Sequence, residues 1–214
     1  MTRRTFLQAA AAASMPGRPV LCIFSKHMAQ FGYDELGKKA KEIGFEGVDL
    51  TVRPGGHVLP ERAAQDMPRA IEAIRAHGLS VPMITTGIVA ASAPEARPTL
   101  STAARLKVGY WKPGYLRYNM KDIEASVEEA RRAGAGLAAL SKEYGIQAGF
   151  HNHSGTYIGS AVWDIRYIIQ DLDPKWVGYY FDPAHATIEG GLAGWQIAQK
   201  MVLPRLKMVA LKDF

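Results

Sequence analysis

Five of the six histidines, His27, His57, His151, His153 and His185, fall at or just past the C-terminal ends of short apolar runs, and only His77 sits at a helix end. Asp182 and Asp213 close two of those runs. Imidazole with carboxylate is a suitable ligand set for borderline divalent ions such as Zn, Mn, Co or Fe. In Phe181-Asp182-Pro183-Ala184-His185 an acidic residue ends an apolar strand and Pro183 fixes the turn, so that His185 points back toward the same cavity. Asp182 and His185 are therefore candidate metal ligands. The plainer alternative is an aspartate that caps the next helix and a histidine that bonds a backbone carbonyl.

In Phe150-His151-Asn152-His153, strand alternation sends residues 151 and 153 to one side and Asn152 to the other. Two inward imidazoles are costly unless they bind metal or substrate, or satisfy each other through hydrogen bonds. Thr51-Val52-Arg53-Pro54-Gly55-Gly56-His57 is a Gly-rich loop whose Arg53 and His57 could clamp a carboxylate, phosphate or sugar hydroxyl, or could belong to an ordinary turn. Its glycine spacing is not that of a P-loop. Tyr110-Trp111-Lys112 and the stretch Tyr115 to Tyr118 offer aromatic surface for a sugar ring, or core packing, with Trp111 and Lys112 the nominated substrate contacts. Lys212 can stabilise an enediolate or stay a solvated charge.

The elements that must position these residues show a repeated grammar. Strands are expected at 19–25, 46–51, 79–85, 107–111, 146–151, 176–182 and 206–212, alternating with segments of helical period. In 122–144, Asp122 is placed to cap, Ile123, Val127, Ala130, Leu137, Leu140 and Tyr144 share one face, and Gly145 stops the helix. Asp34 opens a second helix that ends at Gly44, and Asp66 opens a third, with Pro68 in its first turn and His77-Gly78 at its end. Strand starts recur about every 30 residues, the spacing of a (β/α)8 barrel, which usually occupies roughly 250 residues. Parallel strands in such a barrel deliver their C-terminal ends, and so these histidines, to one mouth. Seven strands are visible, so the barrel is expected to be truncated after the seventh. An open doubly wound sheet is the competing architecture.

Bulk properties narrow the function classes. The 214 residues, 48% apolar and 21% charged, describe one globular unit, and the net charge of +6 is spread out, with nothing longer than pairs such as Lys38-Lys39. Duplex nucleic acid, which calls for clustered basic residues, is not an expected partner. The lone Cys22 sits in an apolar run and reads as a core residue. No stretch approaches the roughly 18 apolar residues of a membrane span. Residues 1–15, with Arg3-Arg4 ahead of Ala9 to Ala13, resemble a short twin-arginine export signal, which implies a periplasmic protein; a tail without targeting value is the alternative.

Gly44-Phe45-Glu46-Gly47-Val48-Asp49-Leu50, the His-Asn-His segment, Phe181 to His185 and Leu211-Lys212-Asp213 together resemble the xylose isomerase-like barrels of the sugar phosphate isomerase/epimerase group, over residues 19–214. That resemblance implies a TIM barrel, a carbohydrate substrate and a divalent metal (Mn, Zn, Mg or Co) on Asp182, with His185 and His151 as further ligands. It also implies chemistry through an enediolate, with His151, His153 and Lys212 as the catalytic groups. Here the first carboxylate ligand of the family pattern is replaced by His151, its late histidine by Ala210, and its last glutamate would lie past Phe214. A homo-oligomer is compatible with the resemblance. Two other readings stay open: a sugar-binding protein without catalysis, and an endonuclease IV-like phosphodiesterase.

Overall fold

The computed structural model describes residues 18–212. The expectations for residues 1–15 and for Asp213 lie outside them. Seven parallel strands, β1 (Cys22–Phe24), β2 (Gly47–Val52), β3 (Ser80–Thr86), β4 (Tyr110–Lys112), β5 (Gln147–His151), β6 (Val177–Phe181) and β7 (Leu206–Val209), pair in chain order, so that sequence neighbours are always sheet neighbours. A doubly wound sheet reverses its order at a switch point, and this one does not. The strands form a truncated TIM barrel, with β1 and β7 at the two ends of the described sheet.

Among the described residues six α-helices follow the strands: α1 (Tyr33–Ile43), α2 (Ala63–Ala76), α3 (Ala96–Arg105), α4 (Ile123–Tyr144), α5 (Val162–Ile169) and α6 (Pro183–Val202), the last broken at Gly191. Their local causes are those of the sequence. Asp122 accepts from the Ala125 N–H at 2.9 Å, and Gly145 closes α4 in the left-handed region at φ 67°. Gly44 does the same for α1 at φ 101°. One boundary differs from expectation: α2 begins at Ala63, three residues before Asp66, and so encloses Pro68. Burial of Met67, Ala70, Ile71 and Ile74 against the sheet, with Arg62 bridged to Asp66 at 2.6 Å, outweighs the amide that Pro68 cannot donate.

The strands bury both faces, as expected for a parallel sheet. In β2, Val48, Leu50 and Val52 alternate with Asp49 and Thr51, and all are buried. Alternation sends the apolar three to the helix layer, with Leu36, Ile71, Ile74, Leu100, Leu137 and Leu140, and turns Asp49 and Thr51 into the barrel. Barrel interiors are ordinarily filled by Val, Ile and Leu. Here Ser25, Asp49, Thr51, Thr85, Lys112 and Asp182 are buried polar residues on strands or at their C-terminal ends. Polar groups so placed need partners, and a mouth that collects them is built for chemistry rather than for stability.

The sheet closes tightly where β6 meets β7. A Cβ on Gly178 would overlap the Arg205 carbonyl. Gly178→Ala is expected to destabilise the fold by about 1–3 kcal/mol, seen as a lower urea midpoint with an unchanged m-value.

Candidate active site

Asp182 follows β6 as the N-cap of α6, and its side chain is fully buried. Its two oxygens have separate duties. Oδ1 accepts from the His185 N–H at 3.0 Å, which is the helix cap. Oδ2 faces Lys212 Nζ at 2.6 Å, His151 Nε2 at 3.4 Å and His185 Nε2 at 3.7 Å. The capping role and the cluster role, alternatives in the sequence, are both filled by one side chain. Burial alone would raise the Asp182 carboxyl, but the nearby His151 ring and Lys212 Nζ, with the hydrogen bond from the His185 amide, hold it well below the ordinary carboxylate range.

The two imidazoles are fixed from behind. Tyr115 OH lies 3.0 Å from His151 Nδ1, and Ser154 Oγ lies 2.9 Å from His185 Nδ1, so each ring presents Nε2 to Asp182. Burial lowers His151 to about 4, against the pull of Asp182, and it is neutral at neutral pH. Burial also lowers His185. Tyr115 is raised, first by burial and then by the Asp182 charge, and keeps its phenolic proton. His153 stacks on His185 with centroids 4.0 Å apart and keeps its Nδ1 at 2.9 Å from the Ser154 carbonyl. Asn152, on the opposite face of the chain as alternation requires, pins the Asp182 backbone. Its Nδ2 donates to the Asp182 carbonyl and its Oδ1 accepts from the Asp182 N–H, both at 2.8 Å. Asn152, Tyr115 and Ser154 were not singled out for these roles in the sequence. Only the alternation at Asn152 gave a signal, because the others depend on loop geometry.

Oxygen and imidazole nitrogen are suitable donors for a divalent ion, and two of the separations, 3.4 and 3.7 Å, match edges of a small coordination polyhedron. The place between them is taken by Lys212, whose Nζ is 2.7 Å from His185 Nε2 as well as 2.6 Å from Asp182. Among the described residues no group of three or more His, Cys, Asp or Glu is disposed to hold a metal ion. As they stand, Asp182 and His185 hold the Lys212 Nζ between them.

The remaining nominated residues divide. Trp111 is not brought to the mouth. It is fully buried with its Nε1 donating to Ser141 of α4 at 3.0 Å, because β4 alternation turns it to the helix layer while Lys112 turns inward. His57 ties loops together: its N–H donates to Thr51 Oγ1 at 2.9 Å, and its carbonyl accepts from Tyr33 OH at 3.1 Å. Burial lowers its ring, set against the Met28 and Phe31 carbonyls. His27 is exposed against Phe24, and His77 bonds Asp34 at 2.8 Å on the helix layer. Arg53 is half-buried over the Phe24 ring, at 5.6 Å. Lys112 is almost wholly buried, donates to the Pro113 carbonyl at 2.8 Å and lies 3.4 Å from the Tyr115 ring centroid. Burial and Arg53 push it down to about 7, opposed by Asp49, whose own carboxyl burial raises to about 7 despite two 2.9 Å contacts from Thr85.

Parallel strands that bring such a polar mouth to their C-terminal ends define an enzyme-like βα barrel. The chain belongs to the xylose isomerase-like TIM barrel family, whose profile matches residues 38–214. Among solved structures it is similar to a D-tagatose 3-epimerase-like protein, at TM-score 0.69 and 16% identity over 91% of this chain and 76% of that one. It is also similar to the 3-keto-D-glucoside 4-epimerase of E. coli, at 0.64 and 17% over 85% and 74%, and to the probable 3-DHS dehydratase of Bacillus anthracis, at 0.65 and 12% over 89% and 72%. Comparison with curated protein sequences gave no match. At these identities the likeness shows the fold. No described helix is long and apolar enough to cross a membrane.

The depressed Lys112 has a measurable consequence. Between about pH 7 and its unfolded value near 10.5, the unfolded chain holds the lysine proton and the folded chain does not. Stability should therefore rise with pH across that window and fall as pH drops toward 7. Lys112→Met removes this dependence, so that urea unfolding at pH 7.5 to 9.5 should show a slope smaller than wild type by about 1.4 kcal/mol per pH unit.

Proposed function

We propose that this protein is an isomerase or epimerase of a sugar or keto-sugar, with loss of water as the related outcome, working through an enediolate at the Asp182 cluster. The observation that carries this is the convergence of His151, His185 and Lys212 on one fully buried carboxylate, with His153 stacked alongside. The reaction needs a group to take the proton beside a carbonyl, a cation for the oxygen that becomes negative, and a proton to return at the neighbouring carbon or the other face. The neutral imidazole of His151 and the ring of His153 supply the first and third, the ring that takes the proton giving it back as an imidazolium. Lys212, 42% exposed where Asp182 is closed off, presents its ammonium to the developing oxyanion. Asp182 holds the lysine in place and the imidazoles aimed, and is itself too strongly ionised to shuttle a proton. Arg53 and Lys112 contact substrate at the far side of the mouth.

The family resemblance supports the substrate class, and the names of the similar structures, two epimerases and a dehydratase, agree with it. A divalent ion such as Mn, Zn, Mg or Co would have Asp182, His185 and His151 to hold it only with Lys212 displaced. In a living cell the protein is proposed to act in the periplasm, following the twin-arginine-like residues 1–15. Assembly as a homo-oligomer is also part of this reading.

The test is solvent exchange. A panel of ketoses, keto-glycosides and their phosphates incubated in D2O is followed by proton NMR. Wild type should wash deuterium into the carbon next to a carbonyl of at least one member, and Asp182→Asn should lower that rate by at least about 100-fold. Lys212→Ala separates the cations: activity lost without added metal supports the ammonium, whereas activity that appears only with Mn or Zn assigns the role to a metal. Binding of a panel member with no exchange in wild type would move the protein to the sugar-binding reading.

A further inference from the structure

At the ends of β2 and β4 lie two basic side chains that take no part in the proposed proton transfers. Arg53 is half-buried beyond β2 and, among the described residues, its guanidinium has no hydrogen bond or ion pair, only the face of Phe24. Its backbone is held: Arg53 donates to the Val58 carbonyl at 3.1 Å and accepts from Gly56 at 2.9 Å, so the side chain projects from a fixed turn. Lys112 is 3% exposed and its Nζ has one hydrogen-bonded partner, a carbonyl.

The two stand on either side of β3. Thr51 pairs with Thr85 and Thr85 with Lys112, which puts Lys112 level with a residue two before Arg53. Between their loops the chain is kept small. Gly87 lies against the Arg53 and Pro54 side chains, and a Cβ on Gly114 would overlap the Gly87 carbonyl. Both side chains act on Asp49, and Arg53 also acts on Tyr115, whose hydroxyl bonds His151. The pair therefore looks into the same interior as the Asp182 cluster. A guanidinium this far out of water is ordinarily paired, and one with no carboxylate in bonding contact, beside a buried amine able to take up a proton, is short of an anion.

We infer that Arg53 and Lys112 form an oxyanion subsite, and that the carbohydrate taken by this protein carries a phosphate or carboxylate at the end remote from Asp182. This rests on the reading of the Asp182 cluster as the reacting end. The anion would supply the counter-charge of Arg53, bidentate on its guanidinium, and would favour the protonated form of Lys112 beside it. It would also fix the direction in which the sugar lies across the mouth.

The test uses the full chain. Inorganic phosphate, a hexuronate and a neutral ketose are titrated by calorimetry, with phosphate followed in parallel by phosphorus NMR. Wild type is expected to bind phosphate or hexuronate at least tenfold more tightly than the ketose, and the tighter of the two identifies the source. Arg53→Gln, which has no ion pair to lose, should weaken that binding at least tenfold and keep the wild-type melting temperature, while Asp182→Asn should bind the anion as wild type does. Lys112→Met should weaken it as well, and Arg53→Gln carries the test if that variant fails to fold. Equal affinity for all three ligands, or phosphate binding untouched in Arg53→Gln, overturns the subsite. If a neutral ketose is epimerised without any anion preference, the subsite fails and the isomerase reading stands. If anions bind through Arg53 but no sugar exchanges hydrogen with solvent, the reverse holds.

Discussion

A carboxylate with no exposure to water governs this molecule. Asp182 stays ionised inside the barrel because its oxygens are met by an ammonium, two imidazoles and a backbone amide. An unpaired charge in that position would be among the most costly features a fold can carry. Much of the surrounding architecture serves the pairing. Pro183 starts α6 so that its first amides turn back on Asp182, Asn152 clamps the backbone on either side, and β7 leads Lys212 across to close the ring. The tyrosine and serine behind His151 and His185 are the outer layer that settles where each ring points.

The interior is electrically divided. On the side of β5, β6 and β7 the negative charge of Asp182 is met by partners at bonding distance. On the side of β2 and β4 the fixed charge is the Arg53 guanidinium, with Lys112 and Asp49, both moved to about 7, beside it. A barrel whose inward faces were filled with Val and Ile would be more stable and could not hold such a gradient. The same asymmetry can orient a charged ligand and aim an ammonium at its far end.

Much of this was legible in the sequence, for reasons of period and punctuation. Alternating runs, the Asp122 cap and the glycine stops at Gly44 and Gly145 gave seven strands and most helix ends, since these depend on neighbours a few residues away. Helix α2 was misplaced at its start because tertiary burial, not the local proline rule, decides where it begins. Asp182, His185, His151 and Lys212 were identified from residue type at strand ends, and the structure brings them together. Trp111 was nominated for its aromatic face, but one position of alternation put it against α4 instead of the mouth. What no spacing could reveal is that Lys212 would lie between Asp182 and His185, because that contact joins residues 27 positions apart through the curvature of the sheet.

The most direct measurement of whether Asp182 organises the site is nitrogen NMR on protein labelled at its histidine rings, followed from pH 7.5 down to pH 4.5. The structure predicts that the His151 ring, assigned by its loss in His151→Gln, stays neutral until close to pH 4, held dry between Tyr115 and Asp182. A His151 ring that takes up its proton near pH 6.5, as an exposed imidazole does, would contradict the buried carboxylate cluster on which the account depends.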